Sequence, residues 1–183
     1  MDAIKDIIEP IVDKVSQKIL STLQDVDPSI LAVNFMAGHP LEIVNRLQAR
    51  TNNDALKFNK YPLIALFLDA EEDRGNDIGV DAEVTLNLII ARSTKSDFIA
   101  DQRLELNFKP ILYPIYEEFL LQLYLSGKFL VKSKDAIKHQ KIDRFFWGTE
   151  SNKNNKANIF NDYIDCIEIK NLKLKVLKSN CNS

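Results

Sequence analysis

Residues suited to acid–base or nucleophilic chemistry are scarce in this sequence. Its 183 residues include two histidines and two cysteines. His39 stands between a glycine and a proline at a predicted strand-to-helix turn, and His139 lies close to two lysines. Catalytic acids, bases and nucleophiles near neutral pH are usually histidine, cysteine or paired carboxylates in a cleft. No serine or cysteine stands in a recognisable nucleophile motif, so we expect no catalytic residue and no enzymatic activity.

Carboxylates crowd one predicted hairpin of the chain. The acidic residues concerned are Asp69, Glu71, Glu72, Asp73, Asp77, Asp81 and Glu83. Oxygen ligands at this density suit a divalent cation, but the spacing lacks the alternating acids and terminal glutamate of a calcium loop. Cys166 and Cys181 are too few for a disulfide framework or a metal knuckle. We therefore expect a solvated acidic hairpin, no bound metal and no cofactor.

A basic run that contains aromatic residues marks the C-terminal third of the chain. Its members are Lys132, Lys134, Lys138, His139, Lys141, Arg144, Phe145, Phe146 and Trp147. Lysines can contact phosphates and rings can stack on bases, so the run is compatible with nucleic-acid binding. Rings such as those of Phe145 to Trp147 more often belong to a hydrophobic core, and the acidic remainder of the chain would repel DNA. Glycine-rich phosphate-binding loops are missing from the sequence, which argues against a nucleotide enzyme.

Charge is divided unevenly along the chain. Residues 1–127 carry 12 basic and 20 acidic side chains, a net of −8, whereas residues 128–183 carry 12 and 6, a net of +6. We therefore expect an acidic end and a basic end, unless folding interleaves them. Such a molecule suits a polyanionic partner or a second copy bound head to tail.

Composition indicates a globular protein of one domain, spanning residues 1–183. The chain is 45% hydrophobic and 27% charged, which allows a substantial core. No apolar run reaches the roughly 18 residues that a membrane span needs. Early charges such as Asp2 and Lys5 argue against a secretory signal. We expect a protein made and kept inside a cell, without a membrane partner.

The first half of the chain predicts a long helix followed by two strands. Apolar residues recur at helical spacing from residue 4 to 23, and Pro10 is expected to kink or divide this helix. A short strand over 31–35, a helix over 41–49 and a polar loop over 50–59 follow. Residues 63–68 and 83–91 are then expected to pair as antiparallel strands across the acidic hairpin.

The second half predicts another helix and a C-terminal β extension. Helical spacing returns between residues 104 and 123, where two prolines are expected to split the helix and Gly127 to end it. The last strand changes its apolar parity at Lys170 and Asn171, which predicts a bulge or a turn. Residues 150–158, rich in asparagine and lysine, are expected to form an exposed arm. The fold class is thus α+β, with an acidic helix–sheet–helix core over 1–127 and a basic extension over 128–183.

The order of these elements resembles that of a known family. The long helix precedes a strand opened by YPLI at 61–64, then the strand VTLNLII at 84–90 and a helix carrying ILYPIY at 111–116. This layout is similar to the tail-completion or tail-terminator proteins of tailed bacteriophages, in which a helix precedes a small antiparallel sheet and a second helix packs across it. The Lys/Asn-rich composition and the segment NIFND at 158–162 also resemble those of structural proteins of phages that infect Bacteroidetes. The layout covers about residues 1–130, and the basic C-terminal third extends beyond it.

The resemblance implies a virion subunit of the neck, assembled in the cytoplasm of a bacterial host. Copies would form a ring that joins the portal or adaptor to the tail and leaves a channel for DNA without sequence-specific contacts. The expected interface residues are acidic in one group and basic in the other: Asp69, Glu71, Glu72 and Asp73, and Lys132, Lys134, Lys138, Lys141 and Arg144. One alternative is an intracellular bacterial binding module that contacts nucleic acid through the basic patch. Another is an enzyme with an unfamiliar carboxylate site.

Overall fold

The computed structural model describes residues 3–53, 59–74, 79–147 and 162–178. The elements in chain order are α1 (Ile4–Val26), β1 (Asn34–Gly38), α2 (Pro40–Thr51), β2 (Leu63–Asp73), β3 (Val80–Ser93), α3 (Ala100–Arg103), a π-helix (Leu104–Leu112), α4 (Tyr113–Leu125), a 3₁₀ turn (Lys134–Ala136), β4 (Gln140–Trp147) and β5 (Ile164–Leu177). The predicted α+β class, long N-terminal helix, second packed helix and C-terminal strands are confirmed. The predicted arm at 150–158 lies outside the described residues.

Helix α1 forms because its apolar residues fall on one face. Eight of them are buried, at the three- and four-residue steps of an amphipathic helix. The helix continues through Pro10, so the predicted division there is wrong. Pro10 lies on the exposed face, where water can satisfy the carbonyl group that loses its amide partner.

The strands form one mixed sheet in the order β1-β2-β3-β5-β4. Strand β1 pairs with β2 in parallel, and the other three pairings are antiparallel. The predicted antiparallel sheet therefore needs a correction at its first pair. Parallel neighbours require a crossover, and α2 supplies it between β1 and β2. The sequence predicts both strands, β1 and β2, but does not indicate that they run in the same direction.

Helices cover both faces of the sheet, to different extents. On one face α1, the π-helix and α4 enclose the main core, which includes Phe108, Phe119, Leu86 and Leu88. On the other face α2 covers a smaller cluster at one end, including Ile43, Leu63 and Cys166. The predicted double-sided burial at the start of β2 is confirmed, since residues 63–66 are all buried. The rest of the second face carries partly exposed polar residues of β3 and β5.

The second long helix runs without a break through both of its prolines. Residues 104–112 adopt π geometry, in which the Tyr113 amide donates to the Phe108 carbonyl five residues earlier. The predicted split is therefore wrong. Pro110 lies inside the π-helix and Pro114 in the first turn of α4. The wider π winding relieves the clash that a proline ring makes with the preceding turn of an α-helix.

Strand β5 contains the predicted irregularity as a bulge. The pairing with β3 shifts between Leu86 and Leu88, opposite Asn171, which has a φ of 53°. The extra residue brings Ile169 and Leu172 onto the same face of the sheet, as the parity change requires. Because β5 lies between β3 and β4, the C-terminal segment completes the sheet.

Candidate subunit interface

The acidic residues lie on a strand edge that lacks a neighbour within the described residues. Strand β1 pairs with β2 only as far as Phe67, so residues 68–73 have their outer edge open. Asp69, Glu71, Glu72 and Asp73 are all exposed there. We call residues 68–73 the acidic edge. Charged side chains of this kind protect an open strand edge from uncontrolled pairing.

The basic residues predicted for the interface do not form one patch. Lys134 binds Glu117 at 2.7 Å, Lys141 binds Asp143 at 2.5 Å, and Arg144 binds Glu168 at 2.8 Å. The hydrogen bond from Lys134 to Glu117 raises the pKa of that lysine. These three cations are thus matched by carboxylates of the same molecule.

Lys141 also belongs to an aromatic cluster on α4. Its Nζ lies 4.5 Å from the centroid of the Tyr113 ring, a favourable cation–π geometry. The Tyr113 hydroxyl donates to Asp143 at 2.6 Å. Burial and this hydrogen bond raise the pKa of Tyr113 to about 12. Lys141 therefore helps to dock β4 on α4.

The other two predicted lysines, Lys132 and Lys138, line an open groove of about 590 Å³. Lys173 and Lys175 of β5 contribute two more ammonium groups to it. We call this surface the basic groove. It is lined by Glu83, Leu130, Val131, Lys132, Ala136, Ile137, Lys138, His139, Gln140, Asn171, Lys173 and Lys175.

Backbone pairing places the groove along the distal half of β5. The Leu130 amide donates to the Lys175 carbonyl at 2.8 Å, and the Lys173 amide donates to the Lys138 carbonyl at 3.0 Å. The Lys173 and Lys175 side chains alternate with buried Leu172 and Leu174, as the pleat of a strand requires. The alternation of lysine and leucine is visible in the sequence, but only the structure shows that this part of β5 lies beside residues 130–138.

His139 fixes one wall of the groove. Its Nδ1 lies 2.8 Å from the Ile137 carbonyl oxygen, which can only accept, so Nδ1 carries the proton. The Nε2 then accepts from the Tyr116 hydroxyl at 2.7 Å. Both ring nitrogens are therefore occupied within the molecule, as expected for a positioning residue.

Three of the groove lysines have no ion-pair partner in the part of the chain that the structure describes. They are Lys132, Lys138 and Lys173. Lys175 pairs with Glu83 at 3.9 Å. The groove thus carries an excess of positive charge that the described part of the molecule does not match.

Phe145 and Phe146 of the basic run are not among the described residues that line the groove. Phe146 stacks on Tyr163 with ring centroids 4.7 Å apart, and Phe145 meets the ring of Phe108 edge-on at 4.8 Å. Trp147 ends β4. Phe145 and Phe146 therefore do not share one surface with the groove lysines.

The other residues considered for catalysis or metal binding are His39, Cys166 and the acidic residues, and the structure places His39 at a helix cap and Cys166 in the core. His39 caps α2, where its Nδ1 accepts from the Leu41 amide at 3.3 Å. Cys166 is fully buried, and burial raises the pKa of its thiol. Among the described residues, which exclude Asp77 of the acidic hairpin, no group of three or more potential ligands could hold a metal ion.

One buried and one partly buried ion pair were not predicted from the sequence. Arg103 and Asp165 pair at 3.0 Å between the start of the second long helix and β5. Lys60 and Asp162 pair at 2.6 Å, and Lys60 also donates to the Thr51 hydroxyl. The members of each pair are far apart in sequence, and no local pattern marks them. The first pair connects the end of α3 to β5, and the second connects the residues before β2 to those before β5.

The acidic edge and the basic groove occupy opposite sides of the same end of the sheet. Only β3 lies between the edge on β2 and the β5 side of the groove, since Thr85 pairs with Glu71 on one side and with Lys173 on the other. Glu71 and Lys173 are therefore two strand spacings apart, about 10 Å. Folding partly interleaves the two charges of the chain, because Lys134 pairs with Glu117 and Lys175 with Glu83.

Comparisons with known proteins returned no relative: no protein-family model, curated protein or solved structure matches the chain. Within the described residues, no helix is both long enough and apolar enough to cross a membrane.

Proposed function

We propose that this protein is a structural subunit that assembles into a ring at the head-to-tail connection of a tailed phage. The observation that supports this function is the placement of an acidic strand edge and a basic groove on opposite sides of one sheet. The phage assignment itself rests on the resemblance in element order. No catalytic step is proposed.

Opposite charges on opposite sides favour head-to-tail contacts between copies. A contact that joins two different patches leaves one patch of each kind open, so copies add until the chain of subunits closes. The same charges disfavour dimers in which like patches meet, because like charges repel. A closed annulus of this kind would sit between the portal or adaptor and the tail and leave a lumen for DNA.

Nucleic-acid binding through the groove is the second candidate function. Lys132, Lys138 and Lys173, which have no ion-pair partner among the described residues, favour it, since ammonium groups neutralise phosphates. The described lining contains no tyrosine, tryptophan or phenylalanine, so such binding would contact the backbone and not stack on bases.

Native mass spectrometry and negative-stain imaging of the purified protein test the ring. We expect closed annuli with a fixed number of copies, and association that weakens as the ionic strength rises. A protein that stays monomeric at all concentrations, with or without a portal preparation, would count against the proposal. So would open filaments of variable length.

Imaging of virions from the source tests the location. An annulus containing this polypeptide at the junction of head and tail is expected. Particles with no such annulus would overturn the phage assignment and leave the self-association result unaffected.

A further inference from the structure

We infer that the acidic edge of one copy, residues 68–73, binds in the basic groove of the next copy. This inference rests on the proposed function, because it names the two surfaces that meet in the ring. The contact differs from the interface expected from sequence, since it includes Lys173 and Lys175 and leaves out Lys134, Lys141 and Arg144.

The two surfaces carry opposite charges at matching spacing. The groove carries four lysines and one glutamate, and the edge carries four carboxylates, of which Glu72 pairs with Arg74 at 3.2 Å. Glu71 and Asp73 are two residues apart on β2, as Lys173 and Lys175 are on β5. Side chains two residues apart on a strand repeat at about 6.6 Å, so two extended segments can bring both charge pairs together.

Each surface also exposes an apolar residue that the contact would cover. Leu130 in the groove is 60% exposed, and Leu68 at the edge is 49% exposed. The outer backbone of the edge also offers amide and carbonyl groups that no described strand pairs with. An apolar centre surrounded by a polar rim is the usual arrangement of a specific interface.

Within the described residues, no ion pair joins the edge to the groove of the same molecule. Glu71 and Lys173 lie two strand spacings apart, about 10 Å, with Thr85 between them. A second copy supplies the missing carboxylates without any rearrangement of the sheet. A nucleic acid fits the surroundings less well, because Glu83 lies in the groove and the nearby acidic edge would repel phosphates.

Charge-reversal variants test the contact. The groove variant carries Lys138→Glu and Lys173→Glu, and the edge variant carries Glu71→Lys and Asp73→Lys. Each alone is expected to weaken self-association at least about tenfold, because each places like charges in contact. An equimolar mixture is expected to assemble, since the edge of each variant then matches the groove of the other.

A control variant with Lys14→Glu and Lys18→Glu makes the same charge change on the exposed face of α1 and is expected to assemble like the natural chain. Circular dichroism confirms that each variant is folded. The mixture rescues assembly only if the two surfaces meet, which a folding defect cannot imitate.

The outcomes separate this inference from the proposed function. Rings that form equally well from the groove variant, or a mixture that fails to assemble, would overturn the inference and leave the ring intact. A natural chain that never self-associates would overturn the proposed function. A DNA gel shift lost in the groove variant, together with unchanged self-assembly, would assign the groove to nucleic acid and reject the contact.

Discussion

Asp165 accepts a hydrogen bond from Arg103 Nη1 at 3.0 Å, and both side chains are buried. The same carboxylate accepts from Asn107 at 2.7 Å and from the Phe146 amide at 2.9 Å. One side chain of β5 thereby joins the end of α3, the π-helix and β4. A buried charge is tolerated only when it is paired and hydrogen-bonded, and these three donors meet that requirement.

Replacing Asp165 with alanine should destabilise the fold by about 3–5 kcal/mol, because it leaves the Arg103 charge buried without its partner. Urea unfolding measured by circular dichroism gives this free energy. Glu105→Ala breaks the exposed pair with Lys109 and should cost less than about 1 kcal/mol. An equal loss of unfolding free energy in the two variants would show that Arg103 donates to water or to another acceptor when Asp165 is absent.

Acid should remove a contribution of Asp27 to stability. The hydrogen bond from the Ser29 hydroxyl, aided by the Ser29 amide and by Arg92, lowers the pKa of Asp27 below its ordinary 3.8 despite partial burial. A pKa lowered by folding gives stability that is present above the unfolded value and lost as the pH falls through the folded value. The stability difference between the natural chain and Asp27→Asn should therefore shrink below about pH 4.

Unfolding curves from pH 2.5 to 7 measure that difference. Asp25→Asn changes an exposed carboxylate in the last turn of α1 and serves as the matched control. A stability difference that stays constant with pH would mean that the contacts of Asp27 do not favour its charged form over its protonated form.

The Cys166 thiol should be unreactive in the folded protein. It is fully buried, and burial raises its pKa, whereas the thiolate is the reactive form. In a Cys181→Ser background, Ellman's reagent should detect this thiol only after denaturant is added. Rapid reaction of the native protein would reveal an opening of the sheet beside α2.

Alanine in place of Gly127 should cost about 1–2 kcal/mol, the penalty for a Cβ in the left-handed conformation. Gly127 has a φ of 65°, and an added Cβ would meet nothing within 4 Å. The cost therefore comes from the backbone alone. Gly127→Asn should cost less, because asparagine tolerates this conformation. Thermal unfolding of the two variants checks the order.

Local patterns in the sequence predicted much of the fold. Helix α1, the double-sided burial of β2 and the bulge at Asn171 follow from periodicity within single segments. The left-handed Gly127 follows from its position after a helix. Each of these features depends on neighbouring residues, which is why one sequence is enough to indicate it.

Features that depend on distant residues were not predictable in the same way. The parallel pairing of β1 with β2 is a choice between two directions that the strand sequences do not encode. The π-helix keeps apolar residues near helical spacing, so its wider winding leaves no distinct pattern. Arg103 and Asp165 are 62 residues apart, and charged residues are expected at the surface unless a partner is known.

The sequence predicts only part of the candidate interface, because some of its residues come together from distant segments. The acidic edge is one continuous segment, and its exposure followed from its composition. The basic run was read as one surface, but three of its cations pair within the molecule. Lys173 and Lys175 join the groove only because β5 pairs with residues beside it.

The acidic edge and the basic groove give the molecule two local patches of opposite charge. A chain with a formal net charge of −2 would be expected to pass a cation exchanger at neutral pH and to bind an anion exchanger weakly. Ion-exchange resins respond to local patches as well as to net charge. The protein should be retained on both resins, and its orientation on each bead should be opposite.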